Sequence, residues 1–360
     1  MAAIQAEGFG SLVRQHGVCF IPMEPKTAVV VTSIAKPNQT LQALAVGSSE
    51  KGYPFIVIGD VASPTDFQLD GCHFYGLQAQ HKTGFKFAEL CPTKHYARKN
   101  LGYLIAARNG AAIIIETDDD NIPYAEFWKG RQREQSVPTV SQGGWVNVYR
   151  YFSETNIWPR GLPLDHVKDE LPAFESLIVT DISCPIQQGL CDNDPDVDAI
   201  YRLVSPLPQS FRKGRQVALT SGAWCPFNSQ NTRWWRDAFP LLYLPAYCSF
   251  RMTDIWRSFI AQRIAWANNW GILFHEPTVW QERNEHNLML NFRDEIPGYL
   301  HNEEMCEALD NLPLLPGVER INDNLRICYE KLVSMDLIKP EELVLLEAWL
   351  EDLDRATNGE

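Results

Sequence analysis

The first third of the chain alternates short apolar runs with polar, turn-rich segments, a pattern typical of parallel strands joined by helices. Three runs are predicted to be strands, at residues 28–32, 55–58 and, more briefly, 73–75. Each run ends in polar residues. The pattern therefore predicts an α/β domain whose strands present polar side chains at their carboxyl ends.

The clearest unit along the chain is a helix, a buried strand and an acidic cluster in direct succession. Residues 93–109 carry apolar positions at helical spacing, with Thr93 as the expected N-cap and Gly110 as the expected C-terminal cap. Residues 111–115 are continuously apolar, as expected for a strand buried on both faces. This run leads into three consecutive aspartates, Asp118 to Asp120.

Two further helices are predicted in the second half of the chain. Residues 254–268 and 340–354 both place their apolar side chains along one face. We expect the last helix to pack on the core or against a second subunit, which would make the protein a homodimer. Residues 132–230, rich in Pro, Gly and Trp, predict irregular loops and short strands.

Composition limits the possible partners and the location. The 360 residues are 45% hydrophobic, enough for a substantial core, and the net charge of -13 argues against nucleic acid as a partner. The nine cysteines are scattered singly, which favours reduced thiols over a zinc site or a disulfide framework. No run approaches the ~18 apolar residues that a membrane span requires. We therefore expect a cytoplasmic protein without a membrane span.

The acidic triplet is the strongest candidate for chemistry. Three adjacent carboxylates after a buried strand oppose one another's ionisation, and a divalent cation would relieve that repulsion. Mg²⁺ and Mn²⁺ prefer carboxylate oxygens and keep positions open for substrate phosphates. The alternative is a solvated acidic turn. The position directly after residues 111–115 favours a site that binds metal and diphosphate together.

A second acidic segment, residues 192–198, lacks the glycine of a calcium loop at its sixth position. Asp196 and Asp198 could equally recognise hydroxyl groups or cap turns. His286 is a candidate metal ligand, although a lone histidine is more often structural.

The predicted helix at residues 254–268 offers two candidates. Asp254 opens it, so a helix cap, a charge favoured by the helix dipole and a general base are all open for this residue. Arg257 could face a phosphate or form a salt bridge.

Six segments together resemble the STELLO proteins of plants and their relatives, whose shared domain is glycosyltransferase-like. They are residues 96–121, 155–164, 185–204, 226–232, 250–266 and 277–288, and they keep the family's order over roughly two thirds of the chain. The resemblance implies a GT-A type fold, a Rossmann-like mixed sheet flanked by helices, with a C-terminal helical tail. It also implies a DXD-type metal site at Asp118 to Asp120.

The resemblance divides the chain into an N-terminal extension (1–26), a GT-A domain (27–330) and a helical tail (331–360). The domain would comprise a nucleotide-binding half (27–130) and an acceptor half (131–330). The expected activity is metal-dependent transfer of a sugar from a nucleotide sugar, expected to be UDP-linked, to a saccharide or other hydroxyl acceptor. The triplet and residues 192–198 also resemble the reversibly glycosylated polypeptides, so nucleotide-sugar mutase chemistry stays open. A non-catalytic partner of a polysaccharide synthase is the third alternative.

The same resemblance implies roles for individual residues. The nucleotide would be held by Thr32, Ser33, Asn38, Asp60, Arg98, Asp118 and Asp119. The sugar and acceptor would contact Trp158, Asp196, Asp198 and Arg257. Mn²⁺ or Mg²⁺ would bind Asp118, Asp120 and His286, and Asp254 would be catalytic. For Asn38 and Asp60, a turn residue and a strand-end cap are equally good local explanations.

Overall fold

The apolar runs of the first third form parallel strands in the computed structural model, which describes residues 26–282 and 287–359. They are β1 (Thr27–Thr32), β2 (Phe55–Ile58), β3 (His73–Tyr75) and β4 (Ile113–Thr117), in the spatial order β3-β2-β1-β4. Each neighbouring pair is parallel, so the carboxyl ends meet at one edge of the sheet. The first three strands match their predictions.

Most of the later strands extend this sheet. They are β5 (Asn121–Pro123), β6 (Glu134–Val140), β7 (Gly144–Trp145), β8 (Ile178–Ser183), β9 (Ile186–Asp192), β10 (Gln216–Leu219), β11 (Ala223–Trp224), β12 (Asn231–Trp235) and β13 (Ile272–Gln281). The sheet continues β4-β12-β9-β13-β10-β6-β8, with β5 paired to β13, while β7 and β11 form a separate pair. Because β12 runs antiparallel to both β4 and β9, the sheet is mixed.

Helices flank the sheet. They are α1 (Gln39–Lys51), α2 (Leu77–His81), α3 (Lys86–Leu90), α4 (Lys99–Arg108), α5 (Ala199–Val204), α6 (Thr253–Ala267), α7 (Leu288–Asp310), α8 (Ile321–Ser334) and α9 (Glu341–Asn358). The predicted α/β class, with a mixed sheet, flanking helices and a helical tail, is confirmed. The predicted helix at 254–268 corresponds to α6.

The strand before the acidic triplet is shifted from its prediction. Residues 111–115 were expected to be extended, but β4 covers Ile113–Thr117. The amide of Ala112 is bonded to the carbonyl of Lys26 at 2.7 Å, outside the ladder, whereas Glu116 and Thr117 pair with β12. The charged residue Glu116 therefore lies within a strand of the sheet. A pattern of hydrophobic residues does not predict this position.

The helix before the triplet begins later than predicted. Thr93 is not its cap, because the Nδ1 atom of His95 accepts the amide of Ala97 at 3.0 Å and starts a short 3₁₀ turn that leads into α4. Gly110 follows α4 with φ of 79°, as predicted for the end of this helix. An added Cβ at Gly102 would lie 2.4 Å from the side chain of Val30, so glycine lets α4 pack directly on β1.

The last helix packs on the core of its own chain. α9 contacts α3, α4 and α8, and its Leu345, Leu346 and Trp349 are buried. Glu342 is also buried, and its carboxylate accepts the amides of Ala246 and Tyr247 at 2.9 and 2.6 Å. The predicted packing of the last helix on the core is therefore present. Packing against a second subunit, in a homodimer, stays a prediction.

Two predictions from composition concern thiols and membranes. The eight cysteines in the described part of the chain are all free, in agreement with reduced thiols. Among the helices of residues 26–282 and 287–359, we find none with the length and apolar content of a bilayer span.

We predict that His275 makes folding stability depend on pH. Its ring is buried, with Nδ1 3.0 Å from a guanidinium nitrogen of Arg131. Burial, and then the charge of Arg131, hold its pKa well below the usual value. Only the unfolded chain gains a proton below about pH 6.5, so stability should fall there by about 1.4 kcal/mol per pH unit. His275→Gln should remove this part of the slope in chemical denaturation between pH 5 and 7. An identical slope in both proteins would contradict the prediction.

Candidate active site

A cleft of about 550 Å³ opens at the carboxyl ends of β1, β2 and β4. The predicted site residues that line it are Thr32, Ser33, Asp60, Arg98, Asp118, Asp119, Asp120, Asp196 and Asp254. Thr32, Ser33, Asp60 and the acidic triplet lie close together because they stand at or just after the carboxyl ends of parallel strands, which meet at one edge of the sheet. Asp196 and Asp254 arrive from segments far along the chain.

Asp118 is held by two groups that the sequence analysis did not identify. Its Oδ1 atom accepts the hydroxyl of Tyr96 at 2.7 Å and the ammonium of Lys99 at 3.0 Å. The Lys99 side chain is fully buried and also donates to the carbonyls of Thr117 and Ser229, at 2.7 and 3.2 Å. The sequence feature that could have identified Lys99 is its position at the start of a strongly apolar helix. Its ammonium offsets part of the charge of the triplet.

The other two aspartates differ in environment. Asp119 accepts a hydrogen bond from the hydroxyl of Ser33, and its backbone carbonyl accepts the side-chain amide of Asn38 at 2.8 Å. Burial, and then the charge of Asp118, raise the pKa of Asp120 to about 7. Burial is also the largest cause of the raised pKa of Asp119, so burial adds to the repulsion between neighbouring carboxylates in both groups.

An arginine-centred ion cluster forms the opposite wall of the cleft. Arg160 makes a bidentate pair with Asp196 at 2.8 Å through both contacts, and a second pair with Asp254 at 3.0 Å. Asp254 also accepts the amide and hydroxyl of Ser229 at 3.2 Å. Burial alone would raise the pKa of Asp254, but Arg160 outweighs it and holds that pKa well below the usual range. Arg160 was missed because its partners lie 36 and 94 residues away.

The cap role considered for Asp254 is wrong. α6 begins at Thr253 after Met252, and Asp254 lies inside its first turn. The preceding Phe250–Met252 is a 3₁₀ turn. The carboxylate of Asp254 is directed to Arg160 and Ser229, so it serves the cleft wall.

Three predicted substrate contacts lie outside the cleft lining. Asp198 caps α5 by accepting the amide of Tyr201 and also accepts the indole N–H of Trp158, at 2.6 and 2.7 Å. Arg257 is buried and donates to both carboxylate oxygens of Glu116 at 2.9 and 2.8 Å. In this structure the Asp198 carboxylate, the Trp158 indole and both terminal nitrogens of Arg257 are engaged within the protein, while the buried Nε atom of Arg257 has no hydrogen-bond partner among the described residues.

Asn38, Asp60 and Arg98 also have local partners. Asn38 caps α1 through the amide of Leu41 at 2.8 Å, in addition to its bond to Asp119. Asp60 accepts the amide of His95 at 3.0 Å and caps its own turn, and the guanidinium of Arg98 donates to Gln80. Asp60 and Arg98 still line the cleft, whereas Asn38 supports the triplet from behind.

An aromatic side chain stands at the rim. Phe250 lines the cleft, is 53% exposed and lies edge-on to the rings of His95 and Tyr96, with centroids 5.9 and 6.4 Å apart. Exposed aromatic faces of this kind suit stacking against a base or a sugar. The sequence analysis did not identify Phe250 as a site residue.

The side chains at the cleft can be tested for their ability to bind a metal ion. Within residues 26–282 and 287–359, no three His, Cys, Asp or Glu side chains converge to hold a metal by themselves. The carboxylates of Asp118 and Asp120 are nevertheless hard oxygen donors at the cleft, and the charge of one acts on the other. They fit a cation that takes further ligands from phosphate and water. His286, the third predicted ligand, lies outside the described residues.

Comparison with known proteins supplies a family. Residues 251–358 match the model of the STELLO glycosyltransferases. The chain is 27% identical over 351 residues to the probable glycosyltransferase STELLO2 of Arabidopsis thaliana, covering 90% of this chain and 44% of that protein. It is 29% identical over 270 residues to the probable glycosyltransferase STELLO1 of the same plant, covering 69% and 35%. The chain thus spans less than half the length of these curated relatives.

Among solved structures, the crystal structure of a mycobacterial protein superposes with a TM-score of 0.42 at 9% identity, covering 78% of this chain and 74% of that one. The sequence matches carry the assignment. They agree with the resemblance seen in the sequence: the chain is similar to the STELLO-type, glycosyltransferase-like family.

Proposed function

We propose that this protein is a metal-dependent glycosyltransferase of the GT-A type that transfers a sugar from a nucleotide sugar, with a UDP-sugar as the expected donor. One observation carries the proposal. Asp118, Asp119 and Asp120 directly follow a buried strand and line the cleft, beside the ends of β1 and β2. The similarity to the STELLO family supports it.

The proposed donor side is formed by the strand ends. Thr32, Ser33 and Asp60 would contact the nucleoside, because parallel strands place their carboxyl ends where a nucleotide binds. Asp118 and Asp120 would hold Mn²⁺ or Mg²⁺ together with the diphosphate, with His286 as a further proposed ligand. The ion, when bound, would stabilise the charge of the leaving diphosphate.

The protein's own side chains would keep the triplet in position. Lys99 and Tyr96 fix one oxygen of Asp118, which leaves its Oδ2 atom for the cation. Ser33 and Asn38 fix Asp119 through its carboxylate and its carbonyl. Such preorganisation matters because a site that must rearrange loses transition-state stabilisation.

The proposed acceptor side is the wall of Asp196, Arg160 and Asp254, with Phe250 at the rim. Asp254 is the proposed general base for the acceptor hydroxyl. Its pairing with Arg160 keeps it ionised but makes it a weaker base than a free carboxylate. A second role, anchoring Arg160, therefore accompanies the proposed proton transfer.

A panel of nucleotide sugars with Mn²⁺ tests the function. A glycosyl product on a saccharide acceptor would support transfer, whereas an isomerised nucleotide sugar would indicate a mutase. If no donor binds or turns over, the protein is instead a non-catalytic partner. The nucleotide sugar that raises the melting temperature only with Mn²⁺ identifies the donor, because a ligand of the folded state stabilises it.

Asp254→Asn tests the proposed base. We expect kcat to fall ~10²- to 10⁴-fold, the usual contribution of general-base catalysis. Loss of the ion pair with Arg160 should also destabilise the fold by about 3 kcal/mol.

Asp196→Asn is the matched comparison, since it breaks the other pair of Arg160. Both variants should lose similar stability in chemical denaturation. If kcat falls no further in Asp254→Asn than in Asp196→Asn, Asp254 only anchors Arg160.

A further inference from the structure

A second hollow, of about 190 Å³, shares no lining residue with the cleft. Its lining includes three arginines, Arg150, Arg212 and Arg215, but a single carboxylate, that of Glu175. The whole chain carries a net charge of -13. This arginine hollow is therefore a local positive site on an acidic protein, and it attracts small anions.

The arginines retain hydrogen-bond donors for a ligand. Each guanidinium has five N–H groups, and hydrogen bonds to other described residues use one of Arg150, one of Arg212 and two of Arg215. Arg212 and Arg215 pair with Glu154 and Glu175, whose side chains are 81% and 76% exposed. Such exposed pairs contribute little, so an anion can replace them.

A buried hydroxyl provides an independent sign of a missing partner. Tyr151 lines the hollow and is 4% exposed, and its hydroxyl has no hydrogen-bond partner in the described structure. A buried polar group without a partner is costly. The guanidinium of Arg215 lies 4.4 Å from the centre of the Phe174 ring and donates to the backbone carbonyl of Tyr151 at 2.7 Å. These contacts fix the orientation of Arg215.

We propose that the arginine hollow binds a phosphate group, either as free inorganic phosphate or carried on a small sugar. Phosphate offers several charged acceptor oxygens, which match converging guanidinium donors. The volume of about 190 Å³ accommodates such a group but is small for a whole nucleotide. The hollow is thus a second anion site, separate from the proposed donor site.

Calorimetric titration at low ionic strength, without divalent cations, tests this proposal. Inorganic phosphate and glucose 1-phosphate should both bind saturably to the wild-type protein. The double variant Arg150→Ala/Arg212→Ala should weaken binding at least about tenfold, because it removes hydrogen bonds to a charged group. Tighter binding of glucose 1-phosphate would support a sugar-carried phosphate, and equal binding would support phosphate alone.

Two further variants separate a ligand contact from a structural role. Tyr151→Phe should weaken phosphate binding severalfold without lowering the melting temperature of the free protein, since its hydroxyl has no protein partner to lose. Arg326→Ala removes an arginine that pairs with Glu347 elsewhere on the surface, and it should leave phosphate binding unchanged.

Absence of saturable binding, or equal affinity in the double variant, would overturn the proposal. Titration of the double variant with UDP and Mn²⁺ should match the wild type. This keeps failure of the arginine hollow distinct from failure of the proposed donor site.

Discussion

Replacing Asp118 or Asp120 by asparagine should abolish Mn²⁺-dependent binding of UDP, with affinity falling at least about 100-fold. Changes one layer behind a metal ligand already cost 10- to 100-fold, so loss of a ligand should cost more. Calorimetric titration of UDP in the presence of Mn²⁺ measures the effect. Unchanged affinity in both variants would refute the metal assignment.

The two variants should differ in stability. Asp118→Asn leaves the buried ammonium of Lys99 without its charged partner and should lower the melting temperature. Asp120→Asn should leave it unchanged or raise it, because burial and neighbouring charges already oppose ionisation of Asp120. Asp165→Asn, at an exposed aspartate, is the matched control and should change neither property.

Lys99→Met should destabilise the protein by about 3 kcal/mol. Breaking a buried ion pair costs about 3–5 kcal/mol, and the lower end applies because the Asp118 side chain is 28% exposed. The carbonyls of Thr117 and Ser229 also lose a donor. Mn²⁺ should raise the melting temperature more in Lys99→Met than in the wild type. In the variant the ammonium of Lys99 is absent, so the cation alone offsets the negative charge of the triplet.

The control for this variant is Lys129→Met. Lys129 is 68% exposed and pairs with Glu126, so its replacement should change stability little. If Lys99→Met is as stable as Lys129→Met, the buried ammonium does not support the triplet. If Mn²⁺ stabilises neither protein, the proposed metal site is absent.

The sequence predicted well the edge of the cleft that the ends of β1, β2 and β4 form. Residues 55–58 and 73–75 form the predicted strands, and the acidic triplet follows a buried strand as inferred. These features are local: an apolar run reports burial, and the polar residues after it mark the strand end. The resemblance assigned Ser33 and Asp60 to the same site, and both line the cleft with the triplet because parallel strands share one edge.

Individual roles on α6 were predicted less well. The helical periodicity located α6 but could not show which distant groups its first turn meets. Asp254 was expected to cap the helix or act as a base, and it pairs with Arg160. For Arg257 a phosphate contact and a salt bridge were both open, and the structure shows the salt bridge, with Glu116 on β4.

What the sequence by itself determined is therefore the order of strands and helices in the first third and the acidic end of β4. Only the tertiary structure decided which charges are paired. Lys99 meets Asp118 across 19 positions and Arg160 meets Asp254 across 94, and no spacing rule connects such residues. Burial removes water from these groups, so each charge must find its partner wherever the fold supplies one.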